Sequence, residues 1–132
     1  MPSFGTASRK RLDTCHPDLI QVCELVIPNY DFTVLEGYRP NARQDELFRQ
    51  GKSKLKAGQS KHNSNPSLAI DLSPYPVDWE DRKRFFLLAG FMFQAASQLG
   101  VTLRAGLDWD GDWIHTDQTF HDLPHFELAG DY

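Results

Sequence analysis

Five histidines are spread through the 132 residues, and two of them stand in company that could do chemistry. His62 follows Ser60-Lys61 and is separated from Asp71 by a loop carrying asparagine and proline, while Asp122-Leu123-Pro124-His125 lies near the far end. A lone histidine is more often a surface or satisfied polar residue, but His62, Asp71 and His125 can converge from separate elements. Two imidazoles and one carboxylate form a normal hydrolytic zinc set, with the fourth position left for water. Asp71 interrupts the apolar run Leu68-Ala69-Ile70-Asp71-Leu72, and a buried carboxylate is tolerated there when it coordinates a cation. Hydrolysis at such a centre needs a base that takes a proton and later hands it on. Asp122 is placed for this by sequence, because Pro124 breaks strand alternation and lets Asp122 and His125 face one cleft. The plainer role, capping the turn before Pro124, stays open.

The elements that must position these residues follow from the apolar pattern. Leu19, Ile20, Cys23, Val26 and Ile27 recur at helical spacing between Pro17 and Pro28, which predicts an amphipathic helix with Cys23 on its buried face. Phe32, Val34 and Glu36 alternate with Thr33 and Leu35 in a strand that leads to Gly37-Tyr38-Arg39-Pro40. Asn41 is expected to cap a helix over 42–50 that Gly51 ends. The stretch with Lys52, Lys54, Lys56 and Lys61 reads as a solvated loop, and residues 68–72 as a buried strand. Asp78 is the expected N-cap of the longest helix, running to Leu99 and stopped by Gly100. Strands are expected at 101–104 and 125–128, with loop between them. Helices and strands interleave without a regular βαβ rhythm, so the predicted class is α+β, in a single domain over 1–132.

Composition narrows the function classes. The formal net charge is −4, yet all 14 basic residues lie at or before Arg104, and residues 105–132 hold only acids among their charged side chains. A uniformly basic nucleic-acid binder is therefore not expected. Hydrophobic residues make up 40%, enough for one core and too few for membrane insertion. Cys15 and Cys23 lack the CxxC spacing of a redox or zinc motif and are expected to be buried free thiols. No apolar stretch follows the basic N-terminal residues, so no signal peptide is expected. Asp108, Asp110 and Asp112 alternate around Trp109 and Gly111. This leaves open a second, calcium-type site, although the downstream glutamate of an EF-hand loop is missing. The competing reading is an exposed Asp-Gly turn.

Ser60-x-His62, Ala69-x-Asp71 and Asp122-x-x-His125 together resemble the zinc peptidases that include D-alanyl-D-alanine carboxypeptidases, vancomycin-resistance D,D-dipeptidases and phage L-alanyl-D-glutamate endopeptidases. The phage endolysin branch is the nearest in pattern. Gly37-Tyr38-Arg39-Pro40, Val77-Asp78-Trp79 and Asp108-Trp109-Asp110-Gly111-Asp112-Trp113 extend the likeness over roughly residues 14–128. Two segments depart from it: the His62 to Asp71 interval is longer than the glycine-containing form typical of the family, and Arg104-Ala105-Gly106-Leu107-Asp108 stands where the phage branch usually has a Trp and a Gly-Gly pair.

The resemblance implies a small antiparallel sheet with helices packed on it, of the type shared by Hedgehog domains and D-Ala-D-Ala peptidases. It implies one Zn²⁺ held by His62, Asp71 and His125, with Asp122 as acid/base. Arg39 is implied to bind substrate or the oxyanion, which suits a fixed guanidinium facing developing negative charge. Ser60 is implied to hydrogen-bond substrate or support a ligand. His115 and His121 are second choices as ligands. The implied activity is hydrolysis of the L-alanyl-D-glutamate bond in the peptidoglycan stem peptide during phage-driven host lysis. D-alanyl-D-alanine hydrolysis with the same centre, or a non-catalytic metal-stabilised binding module, are the alternatives. The expected setting is a monomer without a separate wall-binding domain, held in the host cytoplasm until a separate membrane-permeabilising protein opens access to the wall. The lysine stretch would steer it toward an anionic wall.

Overall fold

The structure, a computed structural model, describes residues 1–106 and 122–132. Asp108, Asp110, Asp112, Trp109, Trp113, His115 and His121 lie outside the described residues, and so does the calcium reading that rests on three of them. Among the described residues four α-helices, α1 (Thr6–Leu12), α2 (Pro17–Val26), α3 (Asn41–Arg49) and α4 (Arg82–Leu99), accompany four strands. The strands are β1 (Phe32–Glu36), β2 (Ala69–Pro74), β3 (Leu103–Ala105) and β4 (His125–Leu128), in the order β1-β2-β4-β3 with every neighbouring pair antiparallel. This is the α+β architecture expected, with helices packed on a small antiparallel sheet.

Strand alternation gives the sheet two different faces. Val34, Ile70, Leu72, Phe126 and Leu128 point into a core shared with Leu12 of α1, Leu19, Val22 and Cys23 of α2, and Phe85, Leu88 and Met92 of α4. The opposite face carries Asp71, His125 and Glu127. Phe126 is fully buried between two of these polar neighbours, so the core anchors the strand that presents them. Truncating such a ring to Ala costs about 3–5 kcal/mol. Both cysteines are free and buried, as expected, and burial pushes the Cys15 thiol up to about 11.

Three local expectations are corrected. Helix α4 begins at Arg82 with Asp81 at its N-cap, because Asp78 instead closes a preceding turn, its carboxylate accepting from the Glu80 N–H. Asn41 is the first helical residue of α3, and Pro40, in extended conformation without a side-chain bond, holds the cap position. Glu36 was expected on the face of Phe32 and Val34, but a register shift between Val34 and Glu36 pairs Val34 with Leu72 and Glu36 with Asp71. A bulge of this kind turns the next side chain to the other face. Helix α1, absent from the expected elements, is held to β1 by Ser8, whose hydroxyl bonds Thr33 and accepts from the Val34 N–H.

Candidate metal centre and active site

Asp71 and His125 are brought together by backbone register alone, since β2 and β4 pair them directly opposite each other. Opposed residues of antiparallel strands share a face with their Cβ atoms about 5 Å apart. His62 arrives separately, on a single 3-10 turn (Lys61–Asn63) whose N-cap, Ser60, accepts from the His62 N–H at 3.1 Å. Asn63 returns the bond to the Ser60 N–H, completing a capping box. Ser60 thus supports the ligand-bearing turn through its hydroxyl while also lining the cleft. The long interval after His62 is tied down at Ser67, which accepts from His16 N–H, donates its own N–H to the Thr14 carbonyl, and is fully buried.

The three side chains form a tight cluster, with one ligand atom from each of His62, Asp71 and His125 within 4.8 Å of the others. Their outer partners settle which ring nitrogens face inward. His62 Nδ1 lies 2.8 Å from the Gly37 carbonyl, which can only accept, so Nδ1 donates and the neutral ring keeps its lone pair on Nε2. His125 Nε2 lies 2.8 Å from Glu127 Oε1, so its bare nitrogen is Nδ1. Both lone pairs then aim at the same Asp71 oxygen, each at 3.2 Å. Three electron-pair donors converging on one point repel one another unless a cation stands among them. Two imidazoles and a carboxylate with outer-sphere hydrogen bonds already in place fit Zn²⁺ by donor chemistry.

Electrostatics shows the same demand. Burial alone would push the Asp71 carboxyl up, but the two imidazoles against it, His125 and then His62, hold it well below the usual carboxylate range. Burial would lower His125, yet Asp71 and Glu127 on either side raise it to about 9. With an acid on either side, His125 favours its protonated form. Asp122 is raised, first by burial and then by the neighbouring Asp71 charge, which suits a group that must both take up and release a proton. Its backbone is fixed from two sides, the Asp122 N–H donating to the Gly106 carbonyl and its own carbonyl accepting from the His125 N–H. A Cβ on Gly106 would sit 2.2 Å from the Asp122 carbonyl oxygen, so the departure at Arg104-Ala105-Gly106 keeps the glycine this contact requires. Gly37 is equally constrained, a Cβ there meeting Thr14 Oγ1 at 2.3 Å.

Arg39 enters the same cleft of about 560 Å³, together with Ser60, His62, Asp71, Asp122 and His125. Its side chain is only 12% exposed and its Nη2 lies 4.0 Å from Asp71 Oδ2. Glu36 accepts from Nε and Nη2, and Gln44 Oε1 accepts from Nη1 at 2.8 Å. Gln44, fully buried, also donates to Ser53 Oγ and the Leu55 carbonyl. Lys52, Lys54 and Lys61 line the cleft too, so the stretch expected to be plain solvated loop forms one of its walls. Glu36, Gln44 and Glu127 were not singled out from the sequence. Their signal is register and burial, neither of which a short motif carries.

The family model of the phage L-alanyl-D-glutamate peptidases matches residues 2–129. The chain belongs to this family. It is 35% identical over 135 aligned positions to the L-alanyl-D-glutamate peptidase of Escherichia phage T5, covering 96% of this chain and 97% of that one. The peptidoglycan L-alanyl-D-glutamate endopeptidase CwlK of Bacillus subtilis (strain 168) is 30% identical over 109 positions, 74% of this chain and 60% of the relative. Among solved structures, the Serratia marcescens L-Ala D-Glu endopeptidase ChiX superposes with a TM-score of 0.78 at 31% identity, over 96% of this chain and 89% of its own. Membership of the peptidase family and the fold expected from the motifs are thereby established.

Proposed function

We propose that this chain is a zinc-dependent peptidoglycan endopeptidase that hydrolyses the L-alanyl-D-glutamate bond of the stem peptide. The observation that carries this reading is the convergence of two bare imidazole nitrogens on the Asp71 carboxylate, in a cleft shared with Asp122 and Arg39. His62 Nε2, Asp71 and His125 Nδ1 would hold the metal. When bound, zinc supplies Lewis acidity that polarises an amide carbonyl and acidifies water. Asp122 takes the proton from the attacking water and delivers it to the departing amide nitrogen, so that the D-glutamate amino group leaves neutral. Arg39, held rigidly by Glu36 and Gln44, faces the negative charge that develops on the carbonyl oxygen, where a preorganised donor is worth most.

The match to a phage family supports a role in host lysis. In that setting a monomer waits in the host cytoplasm, and a separate membrane-permeabilising protein gives it access to the wall. Among the described residues no helix is long and apolar enough to cross a membrane. Purified peptidoglycan incubated with the metal-loaded protein should yield new free amino groups on D-glutamate and lose this activity on chelation, with recovery on adding zinc. Release of D-alanine alone would assign the chain to D-alanyl-D-alanine hydrolysis instead, and tight zinc binding with no cleavage at all would make it a binding module.

A further inference from the structure

Glu127 is a buried carboxylate that none of the motifs uses, and it is the outer partner of a candidate ligand. One of its oxygens, Oε1, accepts from His125 Nε2 at 2.8 Å. The other, Oε2, accepts from Arg104 Nη2 at 2.6 Å and lies 3.3 Å from the Lys61 ammonium. These three partners come from three separate places: β4 itself, the neighbouring strand β3, and the turn that carries His62. Register explains two of them, because β3 and β4 set Arg104 directly opposite Glu127, and alternation puts Glu127 on the face of His125. Lys61 is fixed as well by its bond to the Leu128 carbonyl. The Glu127 side chain is 7% exposed while those of Arg104 and Lys61 are 43% and 33% exposed, so both cations reach in from the cleft rim to a carboxylate below it.

We propose that Arg104 and Lys61 are positioning residues for the metal: they clamp Glu127 in the orientation that fixes the His125 ring with Nδ1 facing Asp71. The inference rests on the reading of His62, Asp71 and His125 as ligands. A buried carboxylate with one cation removed can rotate toward the other or toward water, and its hold on the ring then slackens. Outer-sphere partners of ligating histidines typically contribute 10–100-fold to metal affinity. Clamp and bare electrostatics have opposite signs here. Deleting positive charge near a divalent-cation site should tighten binding through the field alone, whereas loss of the clamp should loosen it.

Zinc affinity of the full-length, metal-free protein can be measured by competition with a chromogenic chelator, with no turnover required. The wild type should bind one zinc. Arg104→Gln combined with Lys61→Gln should weaken binding about tenfold, Arg104→Lys should retain most of the affinity, and Glu127→Ala should weaken it about 10–100-fold. In the Glu127→Ala background, Arg104→Gln should add little, since the clamp has nothing left to hold. Unchanged or tighter zinc binding by the double variant overturns the clamp, as does a full Arg104→Gln effect that persists without Glu127. Should Glu127→Ala fail to fold, Glu127→Gln serves in its place, and the two rim cations decide by themselves. A wild type that binds no zinc would instead sink the ligand assignment, which separates that failure from this one.

Discussion

The two walls of the cleft are built by different means. On the sheet wall, the backbone does the positioning: ladder register sets Asp71 against His125 and Arg104 against Glu127, and the core beneath holds the strands. On the opposite wall, formed by α3 and the segment after it, side chains do the positioning. Gln44 alone joins Arg39 to Ser53 and Leu55. A wall set by backbone register loses one function per substitution, because the neighbouring residues stay where the ladder puts them. A wall set by a single buried amide should lose several contacts at once when that amide is changed.

The largest effects are expected on the sheet wall and should separate cleanly. On the proposed assignment His125→Ala would remove one of three zinc ligands, and structural zinc sites bind with on the order of 10–16 kcal/mol. Affinity should therefore fall by roughly a hundred- to a thousandfold and activity should disappear with the metal. Asp122→Asn should lower turnover by about 10²–10⁴ while leaving zinc bound, because only the proton carrier is lost. Metal content by elemental analysis alongside wall hydrolysis tests both. If Asp122→Asn also emptied the site, the separation of roles along this wall would break.

The same wall has a pH signature. His125 is raised to about 9, against about 6.5 in an unfolded chain. A protonated His125 between Asp71 and Glu127 thus stabilises the metal-free fold fully below pH 6.5, and that contribution is lost as pH rises toward 9. Metal-free protein should show a melting temperature falling by several degrees over this window. The zinc-loaded protein should not share the fall, since its His125 is already neutral. Parallel curves for the two forms would show that the imidazole is not where the cation and the proton compete.

How much of this was legible in sequence follows the same division. His62, Asp71, His125 and Asp122 could be named because their chemistry is scarce and their spacing recurs in a family. Arg39 came from that resemblance, and the structure adds why it is rigid. Glu36 was assigned to the wrong face because period-2 alternation cannot foresee the bulge after Val34. Gln44 and Glu127 went unnoticed because a glutamine on a polar helix and an acid in an acidic tail look solvated until tertiary contacts bury them. Helix α1 is seven residues long with no side-chain cap, too short for its periodicity to register.

Gln44 gives the sharpest test of the second wall. Gln44→Met keeps the volume and removes every side-chain hydrogen bond, so it should release Arg39 and the 53–55 segment together and lower kcat about 10- to 100-fold, the penalty of misplacing a group by about 1 Å. Gln44→Glu keeps an acceptor for Arg39 and gives up the donor to Ser53 and Leu55. It should therefore preserve most of kcat and raise KM. Equal kinetic defects in both variants would show that Gln44 supports only the fold.

The smallest effect should come from Lys52 and Lys54, which line the cleft on the segment Gln44 secures. Exchanging both for glutamine removes charge without touching the metal cluster or Arg39. On an anionic wall this should lower kcat/KM by a few fold at low ionic strength, through slower encounter rather than weaker chemistry. Screening shortens the reach of these charges to about 10 Å at 0.1 M salt and to about 3 Å at 1 M. The gap between wild type and variant should then close as salt is raised, with kcat equal throughout. A gap that persists at high salt would mean that the lysines grip the substrate directly, making this wall a binding surface and not merely a source of field.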